Sequence, residues 1–129
     1  MESPLPEDVK QFIRGCIDRL ETLEVLLLLQ ASGRKVWTST EVSEQMRSSR
    51  LAIETAFAGL VSKGLIIQHA AEGYSYQPQT PELDGAVVRL AACYREKRTA
   101  VISFIFSAPS DAVRRFAEAF RIKKGPTDG

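Results

Sequence analysis

The chain contains few of the residues that build disulfide frameworks, metal centres and catalytic clusters. Its 129 residues include two cysteines and a single histidine. Cys16 and Cys93 are too few, and too far apart in sequence, to form a disulfide framework or a zinc site, so we expect buried free thiols in a reducing compartment. His69 has no metal ligand or acid–base partner at a suitable spacing. The sequence therefore predicts no metal, no cofactor and no enzymatic activity.

Long apolar runs are also missing. The longest, Val25 to Leu29, is far shorter than the roughly 20 residues that a transmembrane helix needs. The first eight residues hold two prolines and three acids and do not have the pattern of a signal peptide. With 44% hydrophobic and 26% charged residues, the composition is that of an ordinary globular protein. We therefore expect one cytoplasmic domain over residues 1–129, with no membrane segment.

The chain has no large excess of either charge, since its formal net charge is +1. The charge is distributed unevenly along the sequence. The balance is −3 over residues 1–31 (three bases, six acids), +1 over 32–80 (five and four) and +3 over 81–129 (nine and six). A basic face is the usual electrostatic feature of a nucleic-acid-binding domain. Any such face would therefore draw mainly on the last third of the chain.

Both ends of the sequence show helical periodicity. Residues 7–31 repeat apolar positions at helical spacing, and the pattern fits either one long helix or two helices with a bend between Asp18 and Glu21. Residues 81–107 form a second long helical pattern, and an amphipathic segment extends this helical region to residue 121. The run AVISFIF has the composition of a strand, but no turn signal precedes it, so we expect helix there.

The segment from Val36 to Pro78 carries a distinctive order of elements. A short strand, RKVWT, precedes a helix, STEVSEQM, whose Thr38 and Glu41 fit a capping box. A polar break, RSS, offers Ser48 or Ser49 as the N-cap of a second helix, RLAIETAFAGLVSKG. Two alternating segments, LIIQH and YSYQP, then surround the turn AAEG and predict a β-hairpin.

Single residues in this segment have predictable structural roles. Ile53, Ala56, Phe57 and Leu60 share one helical stripe and are expected to be buried. Gly64 is placed to end the second helix as a C′ glycine. Gly73 is expected at the hairpin tip with a positive φ, and Trp37 is expected to anchor the hairpin to the core. Tyr74 and Tyr76 suit either stacking on a partner or packing on the domain, and packing is expected for at least one.

This order of elements, with LVSKGLI between the second helix and the hairpin, resembles a winged helix-turn-helix. Among such proteins it is most similar to the MarR-like group of bacterial transcriptional regulators. The resemblance implies a mainly α fold with a small β-wing, in which a core over about residues 23–78 lies between an N-terminal helical arm (7–31) and a C-terminal helical region (81–121). It also implies a homodimer formed by the terminal helices and double-stranded DNA as the partner.

The resemblance assigns the DNA-facing positions to the second helix. Ser49, Arg50, Glu54 and Thr55 would contact the groove, and Arg34 and Lys35 would contact flanking phosphates. The chain departs from the family pattern at the wing, HAAEGYSYQ, which has no lysine or arginine. Thr38 to Pro78 holds three bases against four acids. Few phosphate contacts are therefore available to the recognition surface.

Two interpretations stay open on these residues. Arg50 can contact a guanine or a phosphate, or it can pair with Glu54 four positions later. Correspondingly, the chain is either a DNA-binding transcriptional regulator or a winged-helix protein–protein interaction module without DNA recognition. A cationic run at Tyr94, Arg95, Lys97 and Arg98, here called the C-terminal patch, is the best candidate for docking an acidic partner or the DNA backbone.

Overall fold

The computed structural model describes residues 5–70 and 73–107, and it is mainly helical with a small antiparallel sheet. The elements, in chain order, are α1 (Glu7–Cys16), α2 (Leu20–Ala31), β1 (Trp37–Thr38), α3 (Ser39–Met46), α4 (Arg50–Ser62), β2 (Ile66–Gln68), β3 (Gly73–Tyr76), α5 (Pro81–Glu96) and α6 (Arg98–Ser107). The three strands pair in the order β1-β3-β2, so the hairpin strand β3 lies in the middle. The sequence predicted this general composition of helices and hairpin.

The N-terminal helical segment consists of two helices, which decides between the two alternatives left open by its periodicity. Helix α1 ends at Cys16, and the buried Ile17 that follows is extended. The Thr22 hydroxyl donates to the Asp18 carboxylate at 2.9 Å, across the start of α2. The bend therefore lies at residues 17–19, where the buried Ile17 and the Asp18–Thr22 hydrogen bond hold it.

The connection between α3 and α4 is short and polar. The predicted capping box of α3 is present, with Thr38 and Glu41 each accepting a backbone N–H bond from the other. Arg47 ends α3 in the left-handed region at φ 57°. The Ser49 hydroxyl accepts from the backbone N–H of Ala52, so Ser49 is the N-cap of α4. The Ser48 carbonyl instead accepts a bond from Ser43.

Helix α4 packs its apolar stripe against α2 and the sheet. Ile53, Phe57 and Leu60 are fully buried and Ala56 is nearly so, as the sequence predicted. Fully burying a large apolar side chain contributes about 1.5–3 kcal/mol to folding. The Tyr74 ring stacks on Phe57 with centroids 4.1 Å apart, which attaches β3 to this helix. The fully buried apolar residues of α2 are Leu23, Val25, Leu26 and Leu29.

The glycines around the hairpin have different roles. Gly64 follows α4 at φ 76°, as predicted, and its carbonyl accepts from the Gln79 N–H at 2.8 Å. Gly73 was expected at the hairpin tip, but it belongs to β3 and pairs with Thr38. A Cβ at Gly73 would clash with the Val36 side chain, so any larger residue here requires Val36 to shift. Residues 71–72, between β2 and β3 in the sequence, lie outside the described ranges.

Two further predictions concern the ends of the core. Trp37 is 7% exposed and belongs to the buried cluster, as expected of an anchor. The strand predicted over RKVWT is shorter, because only Trp37 and Thr38 pair with β3. The AVISFIF run is helical, but the helical pattern over 81–107 is interrupted at Lys97, which separates α5 from α6.

The break at Lys97 has a tertiary origin. The Lys97 N–H donates to the Cys93 carbonyl, and the Lys97 carbonyl accepts from Val101, so this residue ends one helix and begins the next. The change of direction lets α6 pack on both α1 and α2, where Val101 and Ile105 are buried. The amphipathic segment predicted after residue 107 lies outside the described residues. Within the described ranges, no helix has the length and apolar character needed to cross a membrane.

Candidate nucleic-acid interface

The face of α4 that is directed away from the core is exposed. It lies opposite the buried stripe and carries small uncharged side chains around one exposed leucine. Leu51 is 73% exposed, the highest value for a large apolar residue in this helix. The members of this face, here called the α4 face, are Leu51, Thr55, Ala58, Gly59 and Ser62.

The start of α4 is cationic. Arg47, Ser49 and Arg50 are exposed within the four-residue segment 47–50, here called the cationic turn. The first turns of α4 and α6 have no acidic residue, whereas α1, α2, α3 and α5 each have at least one there. A cation near a helix N-terminus is disfavoured by the helix dipole by about 0.3–1 kcal/mol. Helix stability therefore does not explain Arg50, whereas Arg47 ends α3, where the dipole of that helix favours a cation.

Arg50 and Glu54 form the ion pair that the sequence offered as one of two alternatives. The Arg50 Nε lies 3.3 Å from Glu54 Oε2, with the two side chains 60% and 47% exposed. The same Oε2 accepts a hydrogen bond from the Ser39 hydroxyl at 3.2 Å. Ser39 is 3% exposed and begins α3, so Glu54 is connected to a neighbouring helix. An exposed i,i+4 pair alone contributes only about 0.3–0.5 kcal/mol.

The two remaining predicted contacts on α4 use their hydroxyls within the protein. Ser49 caps the helix. The Thr55 hydroxyl donates to the Leu51 carbonyl at 3.0 Å. Neither bond removes the side chain from the surface, because both residues are exposed. Ser49, Arg50, Glu54 and Thr55 are thus all exposed, and each has a partner within the protein.

The hairpin tyrosines attach the hairpin to the helices. Besides the Tyr74–Phe57 stack, the Tyr76 hydroxyl donates to the Asp84 carboxylate of α5 at 2.7 Å. Burial, and then the bond and charge of Asp84, raise the pKa of Tyr76 well above its usual value. His69 Nε2 and the Ser75 hydroxyl are 2.8 Å apart, which joins β3 to the residue after β2. Packing is therefore confirmed for both Tyr74 and Tyr76.

Arg34 and Lys35 precede β1 in an exposed loop. The Lys35 ammonium lies 4.0 Å from the centroid of the Trp37 ring, a cation–π contact. The Trp37 Nε1 has no hydrogen-bond partner among the described residues. Both cations are exposed at the surface next to β1.

The C-terminal patch lies at the junction of α5 and α6, and α2 contributes an acid to it. The Tyr94 hydroxyl donates to Glu24 at 3.0 Å, and Arg98 Nη2 lies 3.9 Å from the same carboxylate oxygen. The Arg98 guanidinium also lies 5.0 Å from the Tyr94 ring centroid. Burial and Glu24 raise the pKa of Tyr94. Glu24 partly neutralises this patch, and Arg95 and Lys97 are its other exposed cations.

Sequence reasoning missed three residues of these surfaces. Leu51 lies off the buried stripe, so the 3.6-residue periodicity indicated its exposure, but its size drew no attention. Ser39 and Glu24 meet partners 15 and 70 residues away, and no local pattern indicates such contacts. Among residues 5–70 and 73–107, no group of three His, Cys, Asp or Glu side chains is arranged for a metal ion.

Comparison of the chain with protein-family models, with curated proteins and with solved structures finds no match.

Proposed function

We propose that this protein is a winged helix-turn-helix DNA-binding protein that acts as a bacterial transcriptional regulator. The observation that carries the proposal is the cationic turn at the exposed start of α4. Arg47 ends α3, and Ser49 and Arg50 begin α4, whose first turn has no carboxylate. Recognition helices contact base edges and phosphates mainly through their N-terminal residues.

The arrangement of elements supports the same proposal. Helices α3 and α4 are joined by three residues, and a hairpin follows α4 directly. The first strand of the sheet, β1, precedes α3 and pairs with the far strand of that hairpin. In winged helix-turn-helix proteins, such an order presents the second helix of the pair to the DNA major groove, with the wing beside it.

The charge of this surface predicts weak, modestly salt-dependent DNA binding. Phosphate contacts can come from Arg34, Lys35 and Arg47, because the described part of the hairpin has no lysine or arginine. About three neutralised phosphates give a slope of about −3 for log K against log salt, per protomer. Affinity would therefore fall about fiftyfold between 50 and 200 mM salt.

The experiment is a salt titration of binding to random-sequence duplex DNA. Arg34→Ala is compared with Arg19→Ala, a matched loss of one exposed arginine at the α1–α2 bend. We expect Arg34→Ala to weaken binding severalfold and to reduce the salt slope by about 1, and Arg19→Ala to change neither. Undetectable or salt-independent binding of the wild type would overturn the proposal.

A second candidate function is docking of a protein partner, and one observation favours it. The α4 face is uncharged and centred on Leu51, which is 73% exposed, so it has the character of an apolar docking surface. Leu51 also suits contact with a thymine methyl group in the DNA-binding proposal. The titration separates the two, because protein docking through this face gives no salt-dependent binding to duplex DNA.

We further propose that the protein forms a homodimer through its terminal helices. Helices α1, α5 and α6 pack on one another, and two large apolar side chains on them remain exposed: Val88 at 48% and Phe106 at 75%. A two-fold axis through this region would pair two copies of α4. Recognition helices about 34 Å apart reach successive major grooves.

A further inference from the structure

We propose that Glu54 and Ser39 position the Arg50 guanidinium to recognise a guanine base in the DNA major groove. This inference rests on the proposed DNA-binding function and names the base that the recognition surface selects. Its basis is a chain of three side chains from two helices, in which Ser39 holds Glu54 and Glu54 holds Arg50.

The ion pair with Glu54 uses the Nε of Arg50 and leaves the two terminal guanidinium nitrogens without a partner among the described residues. Glu54 Oε2 binds the Nε of Arg50 at 3.3 Å, and the described residues offer no other partner to this side chain. The two terminal nitrogens of the guanidinium can therefore donate to O6 and N7 of a guanine. Bidentate arginine–guanine pairing is the commonest specific contact in the major groove.

The hydrogen bond from Ser39 restrains the Glu54 carboxylate. Ser39 is 3% exposed and is the first residue of α3, next to the Thr38–Glu41 capping box. Its hydroxyl donates to Glu54 Oε2 at 3.2 Å, so the carboxylate is restrained by a buried group of another helix. A restrained carboxylate reduces the rotamer freedom that the long Arg50 side chain would lose on binding DNA.

The position of Arg50 is poorly explained by helix stability. Arg50 begins α4, where the helix dipole disfavours a cation. The base also precedes the acid by four residues, which is the less favourable order for a helical ion pair. Both features are expected if the side chain is placed for contact with an external acceptor.

Glu54 has one alternative role, direct acceptance of a hydrogen bond from a cytosine amino group. The two roles make different predictions. If Glu54 positions Arg50, loss of either residue removes the preference at one and the same base pair. If Glu54 recognises cytosine itself, the two substitutions affect different base pairs.

The test begins with wild-type selection of bound sequences from a randomised duplex pool. Binding is then measured for the best duplex and for duplexes with each guanine replaced by adenine. The variants are Arg50→Ala, Glu54→Ala, their double mutant and Ser39→Ala. Glu44→Ala is the matched control, since Glu44 is an exposed acid of α3 and its loss changes the net charge equally. Circular dichroism confirms that each variant is folded.

We expect the wild type to prefer guanine about tenfold at one position and Arg50→Ala to abolish that preference. Glu54→Ala should lose most of the same preference, Ser39→Ala part of it, and the double mutant no more than Arg50→Ala. Glu44→Ala should keep the preference while it binds all duplexes slightly more tightly.

Three results would overturn the inference. The first is that Glu54→Ala behaves as Glu44→Ala does, which would exclude a positioning role. The second is that Glu54→Ala and Arg50→Ala affect different base pairs, which would assign Glu54 to direct recognition. The third is that the wild type binds duplex DNA without any guanine preference, which would leave the proposed DNA-binding function standing.

Absence of any duplex binding is a separate outcome, and it would overturn both the inference and the proposed function.

Discussion

At the scale of single residues, hydrogen bonds between hydroxyls and carboxylates join elements that are distant in the chain. Tyr76 connects the hairpin to α5 through Asp84, and Tyr94 connects α5 to α2 through Glu24. Each bond needs the hydroxyl to keep its proton, because a phenolate beside a carboxylate would be repelled. The pKa of both tyrosines is raised accordingly, first by burial and then by the carboxylate.

The first prediction concerns Tyr76 and alkaline pH. The folded-state pKa of Tyr76 is raised above the ordinary value of 10.0, so its contribution to stability is complete below pH 10 and is lost as pH rises further. Tyr76→Phe should lower the free energy of unfolding by about 0.5–1.5 kcal/mol at pH 7. It should also reduce the loss of stability above pH 10, measured by urea unfolding across pH.

Tyr74→Phe is the matched control for this prediction. Its ring stacks on Phe57, and no hydrogen bond of its hydroxyl is found among the described residues. We expect this variant to keep both the stability at pH 7 and the alkaline response of the wild type. Equal effects of the two substitutions would show that the Asp84 bond has no specific role.

At the scale of elements, helix α4 illustrates how two glycines of one segment differ. Gly64 ends the helix at φ 76°, and a Cβ there would lie 2.6 Å from the Gln79 side-chain oxygen. Gly59 lies inside the helix on its exposed face, and a Cβ added there would meet nothing within 4 Å. The first glycine is required by backbone conformation, whereas the second only weakens the helix.

The second prediction follows from this contrast. Gly64→Ala should destabilise the protein by about 1–2 kcal/mol, because a left-handed residue with a Cβ is strained. Gly59→Ala should stabilise it by about 0.5–1 kcal/mol through the higher helix propensity of alanine. Thermal unfolding measures both changes. Destabilisation by Gly59→Ala, or tolerance of Gly64→Ala, would contradict these assignments.

At the scale of the whole molecule, the exposed apolar residues separate into two regions. Leu51 belongs to the α4 face, whereas Val88 and Phe106 belong to the terminal helices α5 and α6. The proposed recognition surface and the proposed dimer surface therefore involve different elements of the chain.

The third prediction tests this division by oligomeric state. Phe106 and Leu51 are almost equally exposed, at 75% and 73%, so Phe106→Ser and Leu51→Ser remove similar apolar surface from different regions. We expect Phe106→Ser to shift the dimer towards monomer and Leu51→Ser to leave the dimer intact, as measured by analytical ultracentrifugation. A monomeric wild type, or dissociation by Leu51→Ser alone, would contradict the proposed dimer.

Most elements of this fold were predictable from sequence because their causes are local. The Thr38–Glu41 capping box, the buried stripe of α4 and Gly64 after it all depend on residues within a few positions of one another. Hydrophobic periodicity likewise placed α1, α2 and the hairpin strands. The predicted ion-pairing alternative for Arg50 also belongs here, since its partner lies one helical turn away.

By itself, then, the sequence determined the secondary-structure elements, their caps and the buried face of α4, because short-range sterics and periodicity specify these features. Only the tertiary structure decided three other features. The helix breaks at Lys97, the Val36 side chain packs against Gly73, and the Ser39 hydroxyl donates a hydrogen bond to Glu54. These features depend on packing between segments far apart in the chain. Their free energy appears only when the helices and the sheet come together, so no local pattern of residues encodes them.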